Sequence, residues 1–161
     1  MTRQDELADL ARAIIDANTY MVLGTAAADG TPWATPVYFA TDDYRNFYWI
    51  SAPDTTHSRN IADRPQLGIV VFDSTVRPGT GQGVYMSATA EQLAGAAVDQ
   101  ALTIYPGPVD RGARRIVPEE LAAPGPYRLY RATASAHWVL CPDRETCEHG
   151  LPHDHRAAVS L

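Results

Sequence analysis

Apolar residues at positions 7, 10, 11, 14 and 15 recur at the spacing of one helix face, which predicts an amphipathic helix over residues 2–17 with Asn18 as its stop. From Tyr20 the pattern becomes that of strands. Residues 20–27 read as a first strand and Ala28-Asp29-Gly30-Thr31 as a tight hairpin turn, so residues 32–40 return antiparallel to it. Pro32 and Pro36 remove ladder donors and mark this second strand as an edge. After a turn at 41–46, the aromatic and β-branched run 47–51 is a third strand, expected in meander order beside the second. A Pro53-Asp54 turn then opens a short helix that ends before Pro65.

Residues 66–73 are apolar on both faces in their middle, the signature of a central strand. A loop at 74–81 with Arg77-Pro78-Gly79 at its tip leads into a fifth strand over 82–91. Val98, Ala101, Leu102 and Tyr105 give residues 95–105 a helical period, ended by Pro106-Gly107-Pro108. Residues 109–126 are rich in Pro, Arg and Glu, with a short helix expected after Pro118; 127–133 and 135–140 are two strands or one bent strand. Six to seven antiparallel strands with interspersed helices predict a mainly β (α+β) fold, a closed or partly open barrel with helices over its ends. A single strand–helix–strand passage argues against a doubly wound parallel sheet.

Composition narrows the chemistry. A chain of 161 residues with 45% hydrophobic and 20% charged residues suits one domain. A net charge of -6 and a pI of about 5.2 argue against nucleic acid as a partner. The chain has no lysine, so Schiff-base chemistry is excluded and arginine must supply any strong cationic contact. No apolar run is long enough to cross a bilayer and the first residues do not resemble a signal peptide, so no membrane partner is expected and the default location is cytoplasmic. Two cysteines, Cys141 and Cys147, fit a reducing compartment.

The richest stretch runs from Phe47 to Pro65. Its strand delivers the chain to a helix start, where free N–H groups and the positive end of the helix dipole favour an anion. Thr55, Thr56, Ser58 and Arg59 bring further donors, and the bland alternative is an ordinary helix capped by Asp54 or Thr55. In the tail, Cys141, Cys147, His149 and either His153 or His155 are residue types that bind zinc. Their spacing matches no zinc module, so no metal site is assigned. Arg111, Arg114 and Arg115 form a basic cluster read as solvated surface.

The ordered set Gly24-Thr25, Asp29-Gly30, Trp33-Ala34-Thr35-Pro36-Val37-Tyr38-Phe39, Tyr48-Trp49-Ile50-Ser51, Thr56-His57-Ser58-Arg59-Asn60-Ile61 before Arg64-Pro65, and Gly81-Gln82-Gly83 resembles the pyridoxamine 5'-phosphate oxidase-like, FMN-binding split-barrel family. The likeness covers about residues 7–140. It implies a split β-barrel domain over 1–140, with the Cys/His tail 141–161 packing on it, and a homodimer with flavin between the subunits. Carried over residue by residue, it nominates Trp33, Ala34, Thr35 and Pro36 for the isoalloxazine ring, and Ile50, Ser51, Thr56, His57 and Arg59 for the ribityl chain and phosphate. Gln82 would reach the flavin across the interface.

Thr56-His57 stands where many relatives carry consecutive basic residues, and neutral histidine is a weaker phosphate partner unless the phosphate raises its pKa. Arg131 and His137 do not match the C-terminal substrate motif of a true pyridoxamine phosphate oxidase, so vitamin B6 synthesis is not implied. The expected activity is that of a flavin-dependent oxidoreductase acting on a small-molecule substrate. The deazaflavin F420 is the alternative cofactor, and a non-catalytic flavin-, haem- or metal-binding protein the alternative function. No catalytic residue is assigned, because a flavin carries the chemistry and asks the protein chiefly to position it.

Overall fold

The computed structural model describes residues 2–143, 150–151 and 153–161. Helix α1 (Arg3–Ala17) begins at a capping box: Asp5 N–H donates to Thr2 Oγ1 at 3.2 Å and Thr2 N–H to Asp5 Oδ2 at 2.8 Å. Leu7, Ala8, Ala11 and Ile15 are the face it buries. Strands β1 (Tyr20–Ala26) and β2 (Pro32–Tyr38) form the expected hairpin, with Ala26 opposite Pro32 and Gly30 at φ 91°. That angle suits glycine, and Thr31 N–H closes the turn on Asp29 Oδ1 at 2.9 Å.

The expected meander stops there. β3 (Asn46–Ser51) pairs along its full length with β6 (Arg128–Leu140) and not with β2. β2 makes a complete ladder with β1, so the N–H groups that Pro32 and Pro36 lack are missing from its other edge. A third strand would find only the N–H groups of Ala34 and Tyr38 there. The sheet order is β2-β1-β4-β5-β6-β3, with β7 (Arg156–Val159) added to β6. One bridge, Ala40 N–H to Tyr48 O at 3.0 Å and its reciprocal at 2.9 Å, joins the two ends of that order. A ring held by full ladders on one side and a single bridge on the other is a split barrel.

β4 (Gln66–Phe72) is interior, between β1 and β5 (Gly83–Gln92), as expected. It is not buried on both faces. Leu67, Ile69 and Val71 point into the core, while Gln66, Gly68 and Phe72 are exposed and Val70 half-buried. β6 is one strand with a register shift opposite Ser87 and Ala88, which settles the alternative of two strands. The seventh strand comes from the tail. Among the described residues its Ala157 and Val159 are buried beside Val139 and Cys141.

Trp49 fills the centre, fully buried and stacked on Tyr130 at 5.5 Å. A second cluster lies between β5 and β6, where α3 (Ala96–Ala101) and the helical turns Val109–Arg111 and Pro118–Leu121 cover Tyr48 and Leu129 with Leu93, Val98, Tyr105 and Leu121. Two of the clustered arginines are structural ties. Arg111 lies over the rings of Tyr38 and Phe39, 5.3 and 5.1 Å from their centroids, and donates to Asn18 O at 2.9 Å. Arg114 grips both carboxylate oxygens of Glu120 at 2.9 and 3.1 Å.

Candidate functional site

The chain leaves β3 at Ser51 and turns through Ala52, Pro53 and Asp54 into helix α2 (Thr56–Asp63). Thr55 is the N-cap residue but its side chain makes no cap bond. Its hydroxyl lies instead 3.0 Å from Ala52 O and 2.8 Å from Ser58 Oγ. The first-turn N–H groups of Thr56, His57 and Ser58 are therefore left to an external acceptor. His57, Ser58, Asn60 and Ile61 form the buried side of the helix, and Thr56 and Arg59 the exposed side.

Inside this mouth the polar groups bond to one another. Ser51 Oγ and His57 Nε2 are 2.7 Å apart, and the Thr55 hydroxyl is 3.4 Å from the same nitrogen. Burial holds the His57 ring below its ordinary pKa, because a charged imidazole loses hydration there. Asn60 Nδ2 donates to Thr25 Oγ1 at 3.0 Å, fastening α2 to β1.

Thr25 is also the wall of a shallow groove of about 850 Å³ across the ends of β1, β2, β4 and β5. Gly24, Ala26, Pro32, Trp33, Ala34, Gly68 and Ser87 line it. Gly24 and Gly68 leave the backbone bare on its floor, and a Cβ built at Gly68 would meet nothing within 4 Å. Thr25 thus belongs to both, lining the groove and accepting the Asn60 bond from α2.

The residues nominated from sequence divide. Trp33 and Ala34 line the groove, and strand alternation puts Ala34 and Pro36 on the outer face beside Gly24 and Val22. Thr35 is half-buried on the opposite face, level with Leu23. Ser51 and His57 meet at the helix start, and Thr56 and Arg59 lie on its exposed side. Ile50 packs on the second cluster opposite Leu129, so it offers the site backbone and not side chain. Gln82 lies elsewhere, in a polar recess with Gly79, Thr80, Gly81, Cys141 and Asp154. Among the described residues its Oε1 is buried without a hydrogen-bond partner.

Asn60 and Gly68 were not singled out from sequence. A signal for Asn60 existed: it follows His57 by three residues and precedes Ile61, so it shares the buried helix face. The metal candidates Cys147 and His149 lie outside the described residues; among the described residues no group of three metal-binding side chains converges. Arg131 and His137 face opposite sides of β6, the one paired with Glu91, the other bonded to Tyr44 O at 2.8 Å inside the barrel.

The fold is thus an antiparallel split barrel whose third strand runs into an uncapped, hydroxyl-rich helix start, with a glycine-floored groove on the sheet. The chain belongs to the pyridoxamine 5'-phosphate oxidase family, whose model matches residues 7–141. No curated protein matches the sequence. Solved structures of similar fold include a heme binding protein from Mycobacterium smegmatis, 16% identical with a TM-score of 0.67, where 94% of this chain covers 57% of that one. A FAD-binding protein from Mesorhizobium loti is 19% identical over 82% of this chain and 90% of that one, with a TM-score of 0.61. A protein of the pyridoxinephosphate oxidase family from Clostridium acetobutylicum, related to general stress protein 26, is 13% identical over 98% and 97% of the two chains, also with a TM-score of 0.61. At these identities the likeness is one of fold.

Proposed function

We propose that this protein is an FMN-dependent oxidoreductase acting on a small molecule, with the FMN phosphate at the start of α2 and the ring along the sheet groove. The observation that carries this reading is an uncapped helix start bearing the Ser51, Thr55, Thr56 and Ser58 hydroxyls, on a helix tied through Asn60 and Thr25 to a groove with bare backbone on its floor. The donor set suits a phosphate monoester, which takes hydrogen bonds and gives none. Bound FMN would supply the electron transfer. Ser51, Thr56 and Arg59 bind its phosphate end, while Trp33 and Ala34 border the ring and keep water from it.

The working unit is a homodimer. The outer sheet face carries Tyr20 at 60% and Phe72 at 46% exposure together with Gly24, Gly68 and half-buried Val22 and Val70. That apolar face suits a second copy of the chain. Gln82 lies away from its own groove and beside Val70 and Phe72 of that face, which makes it the residue to meet the cofactor of the partner. F420 is the poorer fit, because Arg111 and Arg114 are committed to Asn18 and Glu120 and cannot meet its longer acidic tail. Haem finds His57 and His137 already bonded to Ser51 and to the Tyr44 carbonyl. No helix among the described residues is long and apolar enough to cross a membrane, and with buried Cys141 unpaired we place the protein in the cytoplasm.

Absorbance of the purified protein, followed by titration with FMN, riboflavin, F420 and haem, tests the assignment. A flavin spectrum, or FMN binding at about ten micromolar or tighter and well ahead of riboflavin, is expected. A Soret band, or indifference to both flavins, would overturn it.

A further inference from the structure

The Ser51–His57 contact makes the helix start sensitive to a proton. While His57 is neutral with its lone pair on Nε2, the ring accepts the Ser51 hydroxyl hydrogen across their 2.7 Å separation, and that hydrogen is turned inward. A proton on Nε2 reverses the bond. The ring then donates to Ser51 Oγ, and the Ser51 hydrogen is released toward the helix mouth, where an anion needs donors. The Thr55 hydroxyl, 3.4 Å from Nε2 and 2.8 Å from Ser58 Oγ, can turn in the same way.

Nothing charged nearby holds that proton in place. Asp54 lies on the turn, Arg59, Asp63 and Arg64 on α2, and Arg128 opposite Ser51 on β6. β1 and β2, which pack on the helix, carry no charged residue, and β5 carries Glu91, which is paired with Arg131. Arg64 donates to Ala28 O and Arg128 to Gly125 O. Burial lowers the ring's pKa, and among the described residues no charged side chain is bonded to it, so a bound phosphate would be the dominant charge it feels.

We propose that His57 couples occupation of the α2 start to protonation: a phosphate monoester binds there together with a proton from solvent that lodges on the imidazole, and Ser51 presents its freed hydroxyl hydrogen to the anion. The proposal rests on the phosphate-site reading above and adds its regulation. His57 acts through Ser51 as a positioning residue. Affinity then falls as pH rises between the ring's pKa in the empty site and its higher pKa in the occupied one, by up to about tenfold per pH unit. A permanent cation at position 57 would give a flat profile.

The test measures FMN and riboflavin affinity above about pH 7, where the FMN phosphate is a dianion throughout. In the same full-length protein the His57 ring is titrated by NMR, alone, with inorganic phosphate and with FMN. Expected are FMN affinity falling by about tenfold over the window while riboflavin stays level, and a His57 pKa raised by both phosphate compounds. His57→Lys should bind FMN with no pH dependence over the same range. If the slope survives in His57→Lys, or neither phosphate compound moves the ring's pKa, the coupling is wrong. FMN bound tightly with a flat profile would sink the coupling and leave the cofactor assignment standing. A ring that responds to inorganic phosphate in a protein indifferent to FMN would do the reverse.

Discussion

Two buried histidines set how the empty protein meets acid. Burial lowers the pKa of His57, and of His137 against the opposing pull of its bond to the Tyr44 carbonyl. Each ring therefore binds a proton less readily when folded than in the unfolded chain, where the value is near 6.5. Between the folded and unfolded values the unfolded state holds more protons. The stability these rings contribute is thus present above about pH 6.5 and is lost as pH falls toward their folded pKa values. Thermal melts of the flavin-free protein should show Tm dropping below that pH, and His137→Gln should flatten the drop. At the residue scale, residue type marked Thr55, Thr56, Ser58 and Arg59 at the helix start, and the family resemblance added Ser51 and His57. Burial was not visible: His57 is 5% exposed and its Nε2 lies 2.7 Å from Ser51 Oγ.

Between elements, the decisive link is Asn60 to Thr25, which ties α2 to the strand that lines the groove. Asn60→Ala removes the donor and leaves the Thr25 hydroxyl buried without it. Denaturant unfolding should show a loss of about 1–3 kcal/mol, with FMN affinity falling alongside. Periodicity identified α1, β1, β2 and α2 because each carries its own signal in adjacent residues: a 3.6 period, an Asp-Gly turn, a Pro-Asp stop. It failed for the pairing of β3. Partners far apart in sequence are chosen by which edges have donors free, and the prolines of β2 weakened that edge in the competition.

For the whole molecule, the outer face of β1, β4 and β5 is the feature to perturb. Gly68 sits in its middle, and an added side chain there meets nothing within 4 Å in the single chain. Gly68→Arg should leave the fold and its Tm nearly unchanged, while light scattering shows monomer in place of dimer and FMN binding weakens. A dimer that survives the substitution would move the interface elsewhere. The same face explains why β4 reads as buried on both sides: its sequence is apolar enough for two covers, and one chain supplies one.

By itself the sequence determined the class of fold, the antiparallel β1–β2 hairpin, and the position of a helix start after the third strand, because these depend on local periodicity, turn chemistry and residue type. Tertiary structure alone decided that β3 closes against β6, that Ile50 and Thr35 turn away from their neighbours in the candidate site, that the tail adds a seventh strand, and that Gln82 is separated from the groove of its own chain. Those outcomes depend on which donors and apolar faces remain unsatisfied once the local elements have formed, and that is settled only when distant parts of the chain compete for the same edge.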